Sequence, residues 1–432
     1  MNYEESLQYI HSVNRTFCRL GLERITALCE KLGNPQEHLK FIHVAGTNGK
    51  GSVCAMLDQV LRCAGYRTGL YTSPYIKEFN ERMCVDGEMI SDDELAELTT
   101  MIRPIADAME DKPTEFELIT AIAFEYFRRH GCEVVVLEVG LGGRLDSTNV
   151  IKHPLLSIIT GIDFDHTTLL GNTIQEIAAE KAGIVKEGCP VLYGGEENAA
   201  CRTIRSIADR KRADFHTVDR SSYCKKKADL NGTVFDFEQY TALHLALLGS
   251  YQPYNATIVL TALQILSERG LTVSEDAVRC GFSKVRWAAR FELLADDPIV
   301  LYDGGHNPQG VSAAVKSIRE YFPEQEVNLL SGVMADKDFD AMIEALKPVT
   351  RRVFTVKPAN PRALDAEEYA RHFNSHRVAA TPYPTVEEGV RAAIADSRAQ
   401  KLPLICLGSL YLYKELSDVV ECVLKQETIA EI

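Results

Sequence analysis

The sequence predicts an α/β protein: a P-loop-containing domain on a mostly parallel sheet, followed by a smaller Rossmann-like α/β C-terminal domain. Three observations predict it. Short apolar runs such as CEVVVLEVG (132–140) and HPLLSIITGI (153–162) alternate with longer segments of helical periodicity, as buried parallel strands covered by helices do. The run HVAGTNGKGSV (43–53) joins a strand to a helix through Gly46, Gly49 and Gly51 around Lys50. The α/β alternation then restarts near residue 298, which calls for a second domain.

Taken in order, KFIHVAG (40–46) is a strand that ends at the glycine loop. Val53, Met56, Leu57, Val60, Leu61 and Ala64 then recur at helical spacing, and YRTGLYTSP (66–74) returns as a strand. Residues 91–109 and 115–130 read as helices, followed by the two apolar strands. Ile174, Ile177, Ala178, Lys181 and Val185 share one helical face. The second block reads as strand 298–305, helix 308–321, strand 326–334, helix 338–346, strand 351–357, helix 385–397 and strand 402–409. Between the blocks, GFSKVRWAARFELLADDP (281–298) is polar and irregular and is expected to be a hinge, giving domains 1–288 and 289–432. The basic stretch 210–232 reads as a solvated excursion.

Composition narrows the class. A chain of 432 residues has room for two or three packed domains, and 46% hydrophobic with 25% charged residues is ordinary for a soluble protein. The net charge of −14 argues against nucleic-acid or membrane partners. Twelve cysteines, from Cys18 to Cys422, form no C-x-x-C pair, which supports neither a zinc site nor a disulfide framework. The N-terminus MNYEESLQYI lacks a signal-peptide pattern and no apolar run reaches spanning length, so a cytoplasmic protein is expected.

The glycine loop sits where backbone N–H groups and a helix dipole converge on an anion, and Lys50 adds a point charge. It departs from the usual phosphate-loop spacing, with only Thr47 and Asn48 before Gly49-Lys50, and Gly51 displacing Ser52. Glu138 ends a buried strand, where a carboxylate faces the ligand crevice and suits magnesium; alone it reads equally as a loop-facing acid. Ser73 is either a magnesium hydroxyl or a turn residue before Pro74. His166, beside Asp163 and Asp165, is either a metal ligand or a solvated histidine. Lys181 on an apolar stripe is ordinarily a snorkelling side chain. The alternative is an amine neutralised by burial, able to take up carbon dioxide as a carbamate and so donate oxygen to a metal. The segment FNERM, with Arg82, reads as a substrate loop, and Arg144, Asp146 and Asn149 follow Glu138 in a glycine-opened loop. Asn255, Arg290, Asp303 and His306 stand at a helix start, in the hinge and in the DGGHNP turn.

In this order HVAGTNGKGSV, YTSPYIKEFNERM, LEVGLGGRLDSTN, GIDFDHTTLLG, EKAGIVK, YDGGHNP, GVMADKDF and LGSLYL resemble the folylpolyglutamate and dihydrofolate synthases of the Mur ligase superfamily, over essentially the whole chain. The resemblance implies a ligase that uses ATP and two magnesium ions to join L-glutamate to a folate or dihydropteroate carboxylate through an acyl phosphate. It implies ATP contacts at Asn48, Gly49, Lys50, Gly51, Ser52, Asn255, Arg290 and Asp303. Ser73, Glu138, His166 and a carbamylated Lys181 would be metal ligands. Arg82, Phe116, Glu117, Arg144 and Asp146 would contact the pterin-bearing substrate. His306 and Ser409 would lie near glutamate, and Lys50, Lys181 and His306 would act in catalysis. A monomer is expected. Relatives usually read Trp-Pro-Gly-Arg where this chain has Trp287-Ala288-Ala289-Arg290, and Ala where it has Gly305. The alternatives are a Mur-type ligase for a cell-wall precursor and, from another class, a nucleotide-driven switch. The latter is disfavoured by the lack of an N-K-x-D motif.

Overall fold

A computed structural model describes residues 1–13 and 21–430, so Cys18 lies outside the described residues. The chain packs as two compact bodies, Met1–Tyr223 with Tyr254–Val285, and Cys224–Pro253 with Arg286–Ile432. The division drawn at 288/289 is thus one cut where the chain makes three, because residues 224–253 pack with the second body.

The first body is built on strands β1 (Phe41–Ala45), β2 (Thr68–Tyr71), β3 (Met83–Val85), β4 (Glu88–Met89), β5 (Val134–Glu138), β6 (Leu156–Ile159), β7 (Val191–Tyr193) and β8 (Phe215–Thr217). They form one sheet in the order β4-β3-β2-β5-β1-β6-β7-β8. From β2 to β8 every pairing is parallel; β3 and β4 add an antiparallel edge. The apolar runs are continuous because both faces are covered. Val135 and Leu137 enter a core with Phe41, Tyr71, Phe124 and Phe127. By the two-residue alternation of a strand, Val134, Val136 and Glu138 point the other way, where the helix Lys50–Cys63 packs on β5. With β5 and β6 flanking β1, the strand order reverses at β1. The loops after β1, β2, β5 and β6 therefore share one carboxyl edge, where such folds bind ligands.

The second body holds β9 (Tyr223–Asp229, from its second residue on), β10 (Gly232–Phe237) and β11 (Tyr240–Leu245) as a three-stranded sheet. Its main sheet comprises β12 (Glu292–Asp296), β13 (Ile299–Asp303), β14 (Val327–Ser331), β15 (Thr350–Thr355), β16 (Ala380–Pro382) and β17 (Leu404–Leu407). Their order is β12-β13-β17-β14-β15-β16, parallel except for β12. A large parallel-sheet domain and a smaller α/β domain are thus both present, as expected.

Two expectations fail locally. Residues 210–232 are not one solvated excursion: they contribute β8 and β9, and the lysines of YCKKKAD sit exposed along an edge strand. Nor is 281–298 irregular throughout, since the helix Glu275–Lys284 runs into it and β12 forms its last part. Among the described residues no helix is long and apolar enough to cross a membrane.

Candidate active site

The loop between β1 and the helix Lys50–Cys63 has an enforced shape. Gly46 has φ +147°, and a Cβ there would lie 1.9 Å from Thr160 Oγ1. Gly49 has φ +85°, and a Cβ would lie 2.7 Å from Asn255 Oδ1. Glycine alone fits both positions. The loop is stitched to the segment after β6: Thr47 N donates to Gly161 O (2.8 Å) and Thr160 Oγ1 to Asn48 O (2.6 Å). Thr47 Oγ1 donates to Asp163 O and accepts from Asp163 N. Thr160 carried no local signal in the sequence. Gly51 and the buried Ser52 form the first turn of the helix, so their N–H groups lie at its positive end.

Two amines converge on this loop. Lys50 Nζ donates to Gly46 O (3.1 Å) and Thr47 O (3.2 Å), and Lys181 Nζ donates to the same Gly46 O at 2.9 Å. Lys181 is only 4% exposed, so it does not snorkel to solvent. Burial, and then the charge of Lys50, bring its pKa down from 10.5 to about 7, against the upward pull of Asp165 and Asp146. The helix Ile174–Lys181 carries it there because Ile177 and Ala178 on the same face pack into the core.

Ser73 follows β2 and Glu138 ends β5, so parallel pairing sets them side by side; Ser73 N donates to Glu138 Oε2 at 3.2 Å. Among the described residues no three His, Cys, Asp or Glu side chains converge as a metal cage. A hydroxyl and a nearly buried carboxylate beside a phosphate loop nevertheless fit magnesium, which commonly completes its shell with phosphate oxygens and water. His166 is half exposed, with Nε2 3.8 Å from Asp165 Oδ1, and Asp165 in turn acts on Lys181.

Beside Ser73 opens a cleft of about 360 Å³, lined among others by Arg82, Phe116, Glu117, Leu141 and Asp146. Arg82 lies over the rings of Tyr75 (5.2 Å) and Phe79 (5.6 Å), and its buried Nε and Nη1 have no hydrogen-bond partner. Glu117 lines the cleft, but Arg24 Nε and Nη2 hold its carboxylate (both 3.0 Å) and Thr114 N donates to it. Arg144 pairs with Glu180 through Nε (3.0 Å) and Nη2 (2.8 Å).

In the second body the DGGHNP turn follows β13. The buried Asp303 accepts from Tyr251 OH (2.8 Å), Phe291 N (3.0 Å) and Gly305 N (2.8 Å). Burial raises the Asp303 carboxyl and the nearby Arg290 opposes that; burial and Asp303 together push the Tyr251 phenol well up. Asp303 therefore anchors the segment bearing Arg290, whose Nη1 donates to Ala289 O (3.2 Å). His306 Nδ1 donates to Gly304 O (2.8 Å), and Asn307 caps the helix Pro308–Tyr321. Ser409, after the neighbouring β17, accepts from Tyr411 N through Oγ and from Tyr302 OH through its carbonyl. Tyr251 and Arg24 were missed by sequence reasoning, since each meets its partner only through the fold.

A phosphate loop at a sheet switch point, joined to an α/β body with its own strand-tip turn, is the plan of a Mur ligase. Models of two Mur ligase domains match the chain: the middle domain over residues 44–263 and the glutamate ligase domain over 289–409. The dihydrofolate synthase/folylpolyglutamate synthase of Bacillus subtilis (strain 168) is 34% identical over 425 residues, 96% of this chain and 98% of that protein. A crystal structure of folylpolyglutamate synthase from Thermotoga maritima superposes with a TM-score of 0.86 at 32% identity, covering 97% of this chain and 96% of that one. That of Mycobacterium tuberculosis folylpolyglutamate synthase, complexed with ADP and AMPPCP, gives 0.86 at 30%, covering 97% and 99%. The chain belongs to the folylpolyglutamate/dihydrofolate synthase family.

Proposed function

We propose that the protein ligates L-glutamate to the carboxylate of a folate, and of dihydropteroate, at the expense of ATP. The observation that carries this is the sharing of one loop carbonyl by Lys50 and the buried Lys181, beside a cleft holding a cationic side chain with partnerless N–H groups. A carboxylate does not condense with an amine in water. Here its oxygen attacks the γ-phosphorus of ATP, ADP leaves, and the resulting acyl phosphate yields to the glutamate amine with loss of inorganic phosphate and a proton. The loop amides of Asn48 to Ser52 and Lys50 hold the phosphates, with Asn255 against the loop, and the family resemblance assigns Arg290 and Asp303 to ATP. Arg82 takes the substrate carboxylate end, and Phe116, Glu117, Arg144 and Asp146 form or support the pterin pocket. His306 and Ser409 are assigned to glutamate. Ser73, Glu138, His166 and a carbamylated Lys181 would hold two magnesium ions, which supply charge neutralisation to the phosphates. A pKa of about 7 supports the carbamate reading, because only the neutral amine adds carbon dioxide. A cytoplasmic location fits the cysteines, all free thiols among the described residues.

The test is purified protein with ATP, magnesium and glutamate, and tetrahydrofolate or dihydropteroate in parallel, with products separated by mass. The expected result is a glutamylated product with one ADP per ligation. ADP release that ignores glutamate, or a product formed only from a cell-wall precursor, would contradict it.

A further inference from the structure

His43 lies in the middle of β1, fully buried, and is not among the residues that line the cleft. Its Nε2 is 2.9 Å from Thr148 Oγ1, and Thr148 Oγ1 is 2.5 Å from Asp146 Oδ1. Burial raises the Asp146 carboxyl, and the hydrogen bonds from Thr148 and Leu141 oppose that. In its ionised form the carboxylate accepts only, so the Thr148 hydroxyl donates to it and His43 donates through Nε2. His43 Nδ1 then carries a lone pair, and it is a buried nitrogen without a hydrogen-bond partner. Burial and the nearby Lys186 keep the ring neutral, its pKa down to about 3.

Asp146 is the other end of the chain. Oδ1 accepts from Thr148 N (3.0 Å) and Oγ1, and Oδ2 accepts from Leu141 N (2.9 Å). These three donors occupy most of the acceptor capacity of a carboxylate. What Asp146 holds is the loop 140–145, whose Gly140 to Gly143 and Leu145 line the cleft. That loop has no slack. A Cβ on Gly140 would lie 2.6 Å from Phe116 Cζ, and one on Gly143 2.7 Å from Lys181 O. Arg144 N donates to Glu180 O at 2.8 Å.

We propose that His43 is a positioning residue: the one-way chain from His43 through Thr148 to Asp146 fixes the 140–145 loop, and with it the cleft's affinity for the pteridine end of the substrate. This rests on the reading of the cleft above, and it gives Asp146 a supporting role beside the expected substrate contact. His43→Leu and Thr148→Val are each expected to raise KM for tetrahydrofolate about tenfold while KM for ATP stays put, and the double variant to be no worse than the poorer single one. His43→Gln, which keeps an N–H near the Nε2 position, is expected to recover most of the loss. Equal rises in both KM values, multiplying effects in the double variant, or no recovery in His43→Gln would each overturn the proposal. Nitrogen-15 NMR of the wild-type protein is independent of turnover and of variant folding. It should show His43 neutral and protonated on Nε2 from about pH 5 to 8. Ligation together with an Nδ1-protonated or cationic His43 overturns this proposal alone, and an Nε2-protonated His43 without ligation overturns only the functional reading.

Discussion

Replacing Lys181 with methionine keeps the length of a buried side chain and removes its amine. In the folded protein kept free of carbon dioxide and metal, where the amine is unmodified, it has a pKa of about 7 against 10.5 for an ordinary lysine. Between those two values the unfolded chain holds one more proton than the folded one, so wild-type stability rises with pH by about 1.4 kcal/mol per pH step of one. It falls as pH drops from 10.5 and levels off below about 7, where both states are protonated. At pH 7.5 the penalty carried by the folded protein is about 4 kcal/mol. Methionine removes it and forfeits the hydrogen bond to Gly46 O, worth about 1 kcal/mol, although Lys50 still donates to that carbonyl. Lys181→Met is therefore expected to be inactive in ligation yet about 3 kcal/mol more stable at pH 7.5, with the difference shrinking to about 1 kcal/mol at pH 9. Urea unfolding followed by far-ultraviolet circular dichroism at both pH values measures this. A variant no more stable than wild type, or a stability difference that does not change with pH, would refute the argument that the amine is held near neutrality by burial.

Three further outcomes follow from other parts of the molecule. Gly49→Ala places a side chain at φ +85° against Asn255 and should cost about 1–3 kcal/mol of stability and most of the ATP affinity, read by calorimetric titration. Glu117→Ala leaves Arg24 buried without its bidentate partner, and a loss of about 3 kcal/mol in urea unfolding is expected. Ala289 adopts φ +56°, a conformation glycine takes without strain, so Ala289→Gly should relieve about 1 kcal/mol of backbone strain, partly offset by the freer unfolded chain, and raise the melting temperature slightly.

Much of the fold was legible because strand burial and helix periodicity leave direct marks: the CEVVVLEVG strand, the glycine loop and the apolar face bearing Lys181 are all local patterns. The hidden parts are those that depend on distant residues. YCKKKAD gives no apolar alternation, since an edge strand need bury little, and so read as solvated. That Lys181 does not snorkel appeared only when the fold set Gly46 O 2.9 Å from its amine. Asp146 was read as a ligand contact from its place in a glycine-opened loop, and Glu117 from the family resemblance. The donors that hold them, Thr148 and Leu141 for one and Arg24 for the other, appear only once the chain is folded.

The proposed ligation turns on activation of the substrate carboxylate by phosphorylation. Tetrahydrofolate labelled with oxygen-18 in its side-chain carboxylate, turned over with ATP and glutamate, tests it directly. One labelled oxygen is expected in the inorganic phosphate for each amide formed, because the oxygen that attacks phosphorus departs with it. Unlabelled phosphate accompanying a glutamylated product would contradict it.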